Sequence, residues 1–207
     1  MAGEIKRRLE KGPAFWAVRS SAYGEDGELS FAGLHESVIN VPARGLIRAY
    51  KTVLASLFSP EALVYRRKMG MMGEEPAMAV LVQEVIPPQA SGMVHTLDLS
   101  AAEPGFLVIY AAPGLGRTVA EGRGPVDRYL VARDAPHRIL ASEITPKERY
   151  FKAAPGGGVE EEVIPPEERV LSPLPQEAVE TLARWSLSLE RYFKRPQEVE
   201  WALDREG

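Results

Sequence analysis

Cysteine is absent from the 207 residues. Disulfides, thiolate metal sites and cysteine nucleophiles are therefore excluded. A chain without thiols suits a reducing compartment, and the expected location is cytoplasmic. Long apolar runs are absent too. No stretch approaches the roughly 18 residues that a membrane-spanning helix needs. The opening MAGEIKRRLEKG carries charges but no apolar segment, which excludes a secretory signal. Positive charge is not in excess. Lys and Arg number 25 against 29 Asp and Glu, a net charge of −4, which argues against a general nucleic-acid binder. Histidine is scarce. His35, His95 and His137 have no second histidine or carboxylate at metal-ligand spacing. The patterns GxSxG, HExxH and GxxxxGK(S/T) do not occur, so serine hydrolase, zincin and P-loop readings have no support. What remains is ordinary for a folded domain. Hydrophobic residues make up 45% and charged residues 26%, which excludes whole-chain disorder. The length suits one domain, or one domain in two lobes.

Patterning gives a mixed class. Residues 1–11 read as a short polar helix, ended by Gly12 and Pro13. Phe15-Trp16-Ala17-Val18 reads as a buried strand, followed by RSSAYGEDGELSFAG as a loop. His35 to Val41 returns to strand. Leu46, Ala49, Tyr50, Val53, Leu54 and Leu57 form one apolar helical stripe. Ser59 is placed to cap a second helix, with Pro60 at its first position and Glu61 in its first turn. Ala77 to Ile86 is apolar enough for a central strand, stopped by Pro87 and Pro88. Further strands are expected at 92–97, 106–112 and 128–132. Residues 153–168 read as a solvated excursion or hairpin. The last helix is expected over 176–193, with Val179, Leu182, Leu189 and Phe193 inward. In QEVEWALD, Val199, Trp201 and Leu203 alternate with Glu198, Glu200 and Asp204, the period of a strand with one acidic face. The class is α+β.

Three features could carry chemistry. Arg19-Ser20-Ser21 precedes Ser30-Phe31-Ala32-Gly33 around one loop. A guanidinium binds phosphate oxygens bidentately, and small residues let backbone N–H groups approach them. Composition alone favours a plain polar hairpin. Glu198 and Glu200 lie two apart on a strand, about 7 Å between Cα atoms, and can hold a hard cation such as Mg²⁺. Taken alone, a solvated strand face is the simpler account. Gln83-Glu84-Val85-Ile86 ends an apolar strand before Pro87-Pro88, where free backbone groups could read an adenine edge or the strand could simply leave the core.

Five blocks, taken in order, resemble one family. AVRSSAYGEDGELSFAG resembles the signature VAVRSSATAED…SFAG of the ATP-binding domain of phosphoenolpyruvate synthase (pyruvate, water dikinase) and pyruvate phosphate dikinase. ASLFSPEALVYR resembles its helix pair. AMAVLVQEVIPPQASGMVHTLDL, GLGRTVAEGRGPVDRYLV and RPQEVEWALD resemble three further blocks. The resemblance covers Ala14 to Asp204. It implies an ATP-grasp fold, with a first lobe over 1–85, a second over 86–207, and a nucleotide cleft between them. It implies that Arg19 contacts ATP phosphates as the catalytic arginine. Ser30, Phe31, Ala32 and Gly33 would cover the phosphates, Gln83, Glu84 and Val85 would hold adenine, and Glu198 and Glu200 would ligate Mg²⁺. The implied chemistry is phosphoryl transfer from Mg·ATP to a histidine, in which the protein positions phosphates and neutralises charge.

The departures set the alternatives. The family carries a phosphate-contacting lysine before the first block, and Lys6 and Lys11 stand in no matching context. It also continues past the last block with a strand that this chain does not show. Both lobes are thus expected to be incomplete at their outer ends, and the chain alone to be incomplete for catalysis. Arg117 replaces an acid, Tyr23 a small hydroxyl residue, His35 a glutamine, and His95-Thr96-Leu97-Asp98-Leu99 stands for FT.DP. The implied partners are ATP, a protein carrying the phosphohistidine and pyruvate domains, and a further copy of the chain. Neither nucleic acid nor membrane is expected. The alternatives are the ATP domain of another dikinase, such as an antibiotic phosphotransferase or glucan, water dikinase, and a non-catalytic nucleotide-binding or regulatory module.

Overall fold

The computed structural model describes residues 15–23, 33–73, 75–97, 105–120, 122 and 124–204. The expected helix over 1–11 lies outside them. The chain divides into two compact units. Met1–Val85 with Ala153–Val159 forms one, and Ile86–Lys152 with Glu160–Gly207 the other.

The first unit is built on a three-stranded antiparallel sheet of β1 (Phe15–Ala22), β2 (Val38–Pro42) and β3 (Met78–Glu84), in the order β2-β1-β3. Strand β1 is longer than its apolar run. Arg19 to Ala22, expected in a loop, continue the strand because each pairs with a residue of β3, from Leu81 back to Met78. Helix α1 (Leu46–Ala55) lays Leu46, Ala49 and Val53 on Val18 and Val41. Full burial of a valine such as Val53 contributes roughly 1.5–3 kcal/mol. Tyr50, expected in the stripe, is exposed at its flank. Helix α2 (Pro60–Lys68) begins as expected, with the Ser59 hydroxyl accepting from the Ala62 N–H at 3.1 Å. Strand β3 departs from expectation. Its apolar sequence suggested a central strand, yet it hydrogen-bonds to β1 alone among the described residues.

The second unit contains a five-stranded antiparallel sheet. Its strands are β4 (Ala90–His95), β5 (Phe106–Pro113), β6 (Asp127–Ala132), β7 (Ile139–Glu143) and β10 (Glu198–Leu203), in the order β10-β4-β5-β6-β7. A single helical turn, α3 (Arg117–Ala120), follows β5. The excursion expected after residue 153 is the turn of a hairpin between β8 (Arg149–Ala153) and β9 (Val159–Val163). Helix α4 (Gln176–Phe193) covers one sheet face. Val179, Leu182, Ala183 and Leu187 pack against Val94, Leu107, Ile109, Ala111, Tyr129 and Val131. The helix bounds match expectation, but Leu189 and Phe193 are exposed, while Ala183 and Leu187 point inward.

An ion pair ties this helix to the sheet. Arg133, just past β6, donates to Glu190 on α4 and to the Thr96 carbonyl after β4. Burial opposes ionisation of Glu190, but the Arg133 guanidinium and the Thr96 hydroxyl outweigh it and hold the carboxyl below its ordinary value. A lowered carboxyl contributes stability above the unfolded-state value and loses it as pH falls through the folded one. Glu190→Gln is therefore expected to lower stability at neutral pH and to make the acid limb shallower. Urea unfolding at a series of pH values between about 3 and 7 checks this, and an unchanged acid limb would remove the pair from the account.

Candidate functional site

Strand alternation assigns each candidate side chain to a sheet face. In the first unit, Val18 and its even-numbered neighbours on β1 face α1. Arg19 therefore lies on the opposite face. There it sits across from Leu81, and Ala17 from Gln83, so Arg19 and Gln83 share that face. Glu84 pairs with Trp16 and belongs to the α1 side instead. Val85 closes the ladder with its N–H on the Phe15 carbonyl at 3.3 Å. The three residues expected to hold adenine are thus divided between both sheet faces and a backbone terminus. Ser30, Phe31 and Ala32 lie outside the described residues. Gly33 is described, with φ +71 and nothing within 4 Å of a Cβ built on it.

In the second unit, the same argument separates an apolar face from a polar one. Val199, Trp201 and Leu203 pack with the core beneath α4. Glu198 and Glu200 alternate with them and face away from that helix, exposed as the sequence suggested. Register extends their row. Glu200 pairs with Met93, Met93 with Tyr110, Tyr110 with Arg128, and Arg128 with Glu143. Glu198 pairs with His95. The His95 Nε2 stands 3.6 Å from a Glu198 carboxylate oxygen and 3.1 Å from the Met93 sulfur, and its ring meets Tyr110 edge-on at 5.5 Å. The polar face thus runs acid, base, acid across the sheet, with an imidazole and a phenol between.

The donor set bears on a cation. No group of three or more His, Cys, Asp or Glu side chains placed to hold a metal occurs among the described residues. Two carboxylates on one strand face do not make a closed cage. They match the habit of Mg²⁺, which takes one or two carboxylates and completes its shell with water and phosphate oxygens.

A loop beside this face follows β5. Gly114 has φ +70, and a Cβ there would run into the Phe151 carbonyl and lie 2.5 Å from the Tyr150 ring. Its N–H donates to Gln89, and its carbonyl accepts from the Ser91 hydroxyl. The Leu115 N–H donates to Phe151 at 2.8 Å. Arg117, which replaces an acid of the resembled family, places its guanidinium 5.3 Å from the Phe151 ring centroid, a cation–π distance.

Sequence reasoning missed two supports of this region. Gly92 on β4 lies directly across from Trp201 on β10, and a Cβ at Gly92 would fall 2.7 Å from the Trp201 ring. Asp127 and Lys147 form a buried ion pair, with Nζ to Oδ1 at 2.5 Å. Strand-period reading of SGMVH and EWA could have flagged the first. The second joins residues from separate segments, and no local pattern announces it.

Comparison with known proteins now defines the class. All of residues 1–207 match the family described as pyruvate phosphate dikinase, AMP/ATP-binding domain. The chain belongs to that family and is an ATP-binding domain of the phosphoenolpyruvate synthase and pyruvate phosphate dikinase type. Among individual relatives, a rifampicin phosphotransferase of Bacillus cereus is 33% identical over 91% of this chain and 22% of its own length. A probable phosphoenolpyruvate synthase of Methanocaldococcus jannaschii is 31% identical over 91% of this chain and 16% of its own. One from Archaeoglobus fulgidus is 34% identical over 91% and 25%. The chain therefore spans a quarter or less of each of these relatives. Among the described residues, no helix is long and apolar enough to cross a membrane.

Proposed function

We propose that the two units are the lobes of an ATP-grasp fold that holds Mg·ATP and directs phosphoryl transfer to a histidine on another domain or partner. In this reading Arg19 grips the phosphates, and Ser30, Phe31, Ala32 and Gly33 cover them. Gln83 and the backbone at Glu84 and Val85 meet the adenine. Glu198 and Glu200 hold Mg²⁺ against the phosphate oxygens. A metal bridging phosphate oxygens neutralises charge as the phosphoryl group departs. The chain's own task is to orient the nucleotide and to supply fixed positive charge at Arg19.

One observation carries the reading. Arg19 with Gln83, and Glu198 with Glu200, lie on sheet faces turned away from the packed helices, and they fall within the blocks that resemble the family, Glu198 in place of an aspartate. Structural residues would be sorted inward, as Val18 and Trp201 are. The phosphate acceptor is a separate matter. Rifampicin phosphotransferases and phosphoenolpyruvate synthases resemble the chain about equally, so the shared step is the one that uses ATP. A cytoplasmic setting, where ATP and Mg²⁺ abound, suits this step.

Calorimetric titration with ATP, with and without Mg²⁺, tests the proposal. Binding should require Mg²⁺ and should collapse in Glu200→Gln. Arg19→Ala should weaken ATP by about tenfold to a hundredfold, the worth of a charge-assisted hydrogen-bond pair. An affinity unmoved by Arg19→Ala would sink the assignment.

A further inference from the structure

We propose that two copies of this chain, free of nucleotide, associate by pairing their β3 strands edge to edge, in antiparallel register, about a two-fold axis at Leu81. The inference rests on no part of the nucleotide reading, and adenine held at the Glu84 backbone would compete with the pairing.

Backbone parity opens the argument. The Val85 N–H donates to Phe15, and the Tyr23 N–H to the Ala77 carbonyl. Odd-numbered residues of β3 thus spend their backbone groups on β1. Even-numbered ones, Met78, Val80, Val82 and Glu84, point theirs outward, where no described strand receives them. The strand is seven residues long, without proline, lysine or a register shift against β1. Leu81 is 51% exposed and Val82 41%. A long, regular, apolar edge is an association site unless something blunts it.

Two of the other edges are blunted. On the far side of this sheet, Asn40 of β2 sits at φ +60, and its side chain donates to the Ala154 and Gly158 carbonyls at 2.7 and 2.8 Å. The Gly158 N–H donates back to Asn40, so that edge is occupied. In the five-stranded sheet, β10 carries Glu198 and Glu200 on one face, and a second copy would bring like charges together.

The occupant follows from self-complementarity. A two-fold at Leu81 sets Val80 against Val82 and Met78 against Glu84 of the other copy. These are the residues with outward backbone groups, so the pairs are the hydrogen-bonded ones. Leu81 meets Leu81, and Ala79 meets Gln83. The two Glu84 carboxylates go to opposite ends of the pairing, each beside a methionine. The result is an isologous interface in which every outward N–H and C=O of β3 finds a partner.

Analytical ultracentrifugation without nucleotide, combined with hydrogen exchange, tests this. Raising the concentration through the micromolar range should carry the mass from 22.8 kDa to that of two chains. Exchange at Met78, Val80, Val82 and Glu84 should slow over the same range. Val82→Pro removes an outward N–H and no bond to β1, so it should stay folded and monomeric. Val82→Lys, which sets two cations near the axis, should also dissociate the pair and serves where the proline variant fails to fold. A monomer at all concentrations would overturn the proposal. So would a dimer in which these amides stay unprotected, or protection independent of concentration, which would mean the edge is covered within one chain.

Discussion

Replacing Lys147 by methionine is expected to cost about 3–5 kcal/mol of unfolding free energy, the range for breaking a buried ion pair from one side. Asp127 is fully buried and Lys147 is 2% exposed. The ammonium donates to Asp127 Oδ1 at 2.5 Å and to the Thr145 carbonyl at 2.9 Å, while the Thr145 N–H donates to the same carboxylate oxygen at 3.0 Å. The other oxygen, Oδ2, has no hydrogen-bond partner. Lys147 is therefore the cation that offsets the buried charge. Without it the buried carboxylate keeps one backbone donor and no counter-charge among its hydrogen-bond partners, which is costly. Asp127→Ala should cost a similar amount, by stranding the ammonium. The double variant Asp127→Leu with Lys147→Met should lose much less than the two single losses added, because an apolar replacement of a buried pair is often near neutral. Urea unfolding of the four proteins gives the cycle. Additive losses would mean that the two groups do not depend on each other, and the account of this segment would fail.

That pair also marks where sequence reading stops. Local order was legible wherever one element carried its own pattern. Helix α4 runs from just after Pro175 to just before the Arg195-Pro196 stop, and the alternation in EVEWAL fixed which face of β10 is acidic. The Ser59 cap could be read from three consecutive residues. Pairing between distant segments could not. The apolar run of β3 looks the same in the middle of a sheet as at its rim, and only the strand order distinguishes them. Arg19 to Ala22 have loop composition, yet partners on β3 hold them extended. Strand β7, only five residues long, is too short to announce itself and gains its place from β6. The candidate site divides in the same way. The acidic pair and the arginine stand out as residue types. That Arg19 shares a face with Gln83 and not with Glu84 follows only from register.

Gly92→Ala is the second substitution expected to be severe, with a loss of about 3 kcal/mol or more, at the upper end of what overpacking costs. Strand β4 is held on both sides, by β10 through Gly92 and Trp201 and by β5 through Gly92 and Ala111. A Cβ at this position would run into the Tyr110 carbonyl and lie 2.7 Å from a Trp201 ring carbon. The ring could give way, but the carbonyl belongs to the neighbouring strand and moves only if the sheet does. Trp201→Leu should therefore restore little of the loss when combined with Gly92→Ala, which separates a backbone clash from a side-chain one. The consequence reaches the acidic face. Trp201 sits beside Glu200 on β10, so a displaced β4 tilts the strand that carries both carboxylates. Gly92→Ala protein that remains folded at low temperature should bind ATP more weakly than wild type, although Gly92 faces the core and is expected to touch no nucleotide. Chemical denaturation and the titration proposed above measure both effects. A wild-type midpoint would show that the sheet yields at this crossing. A lowered midpoint with unchanged affinity would show that the polar face is held by elements other than β4.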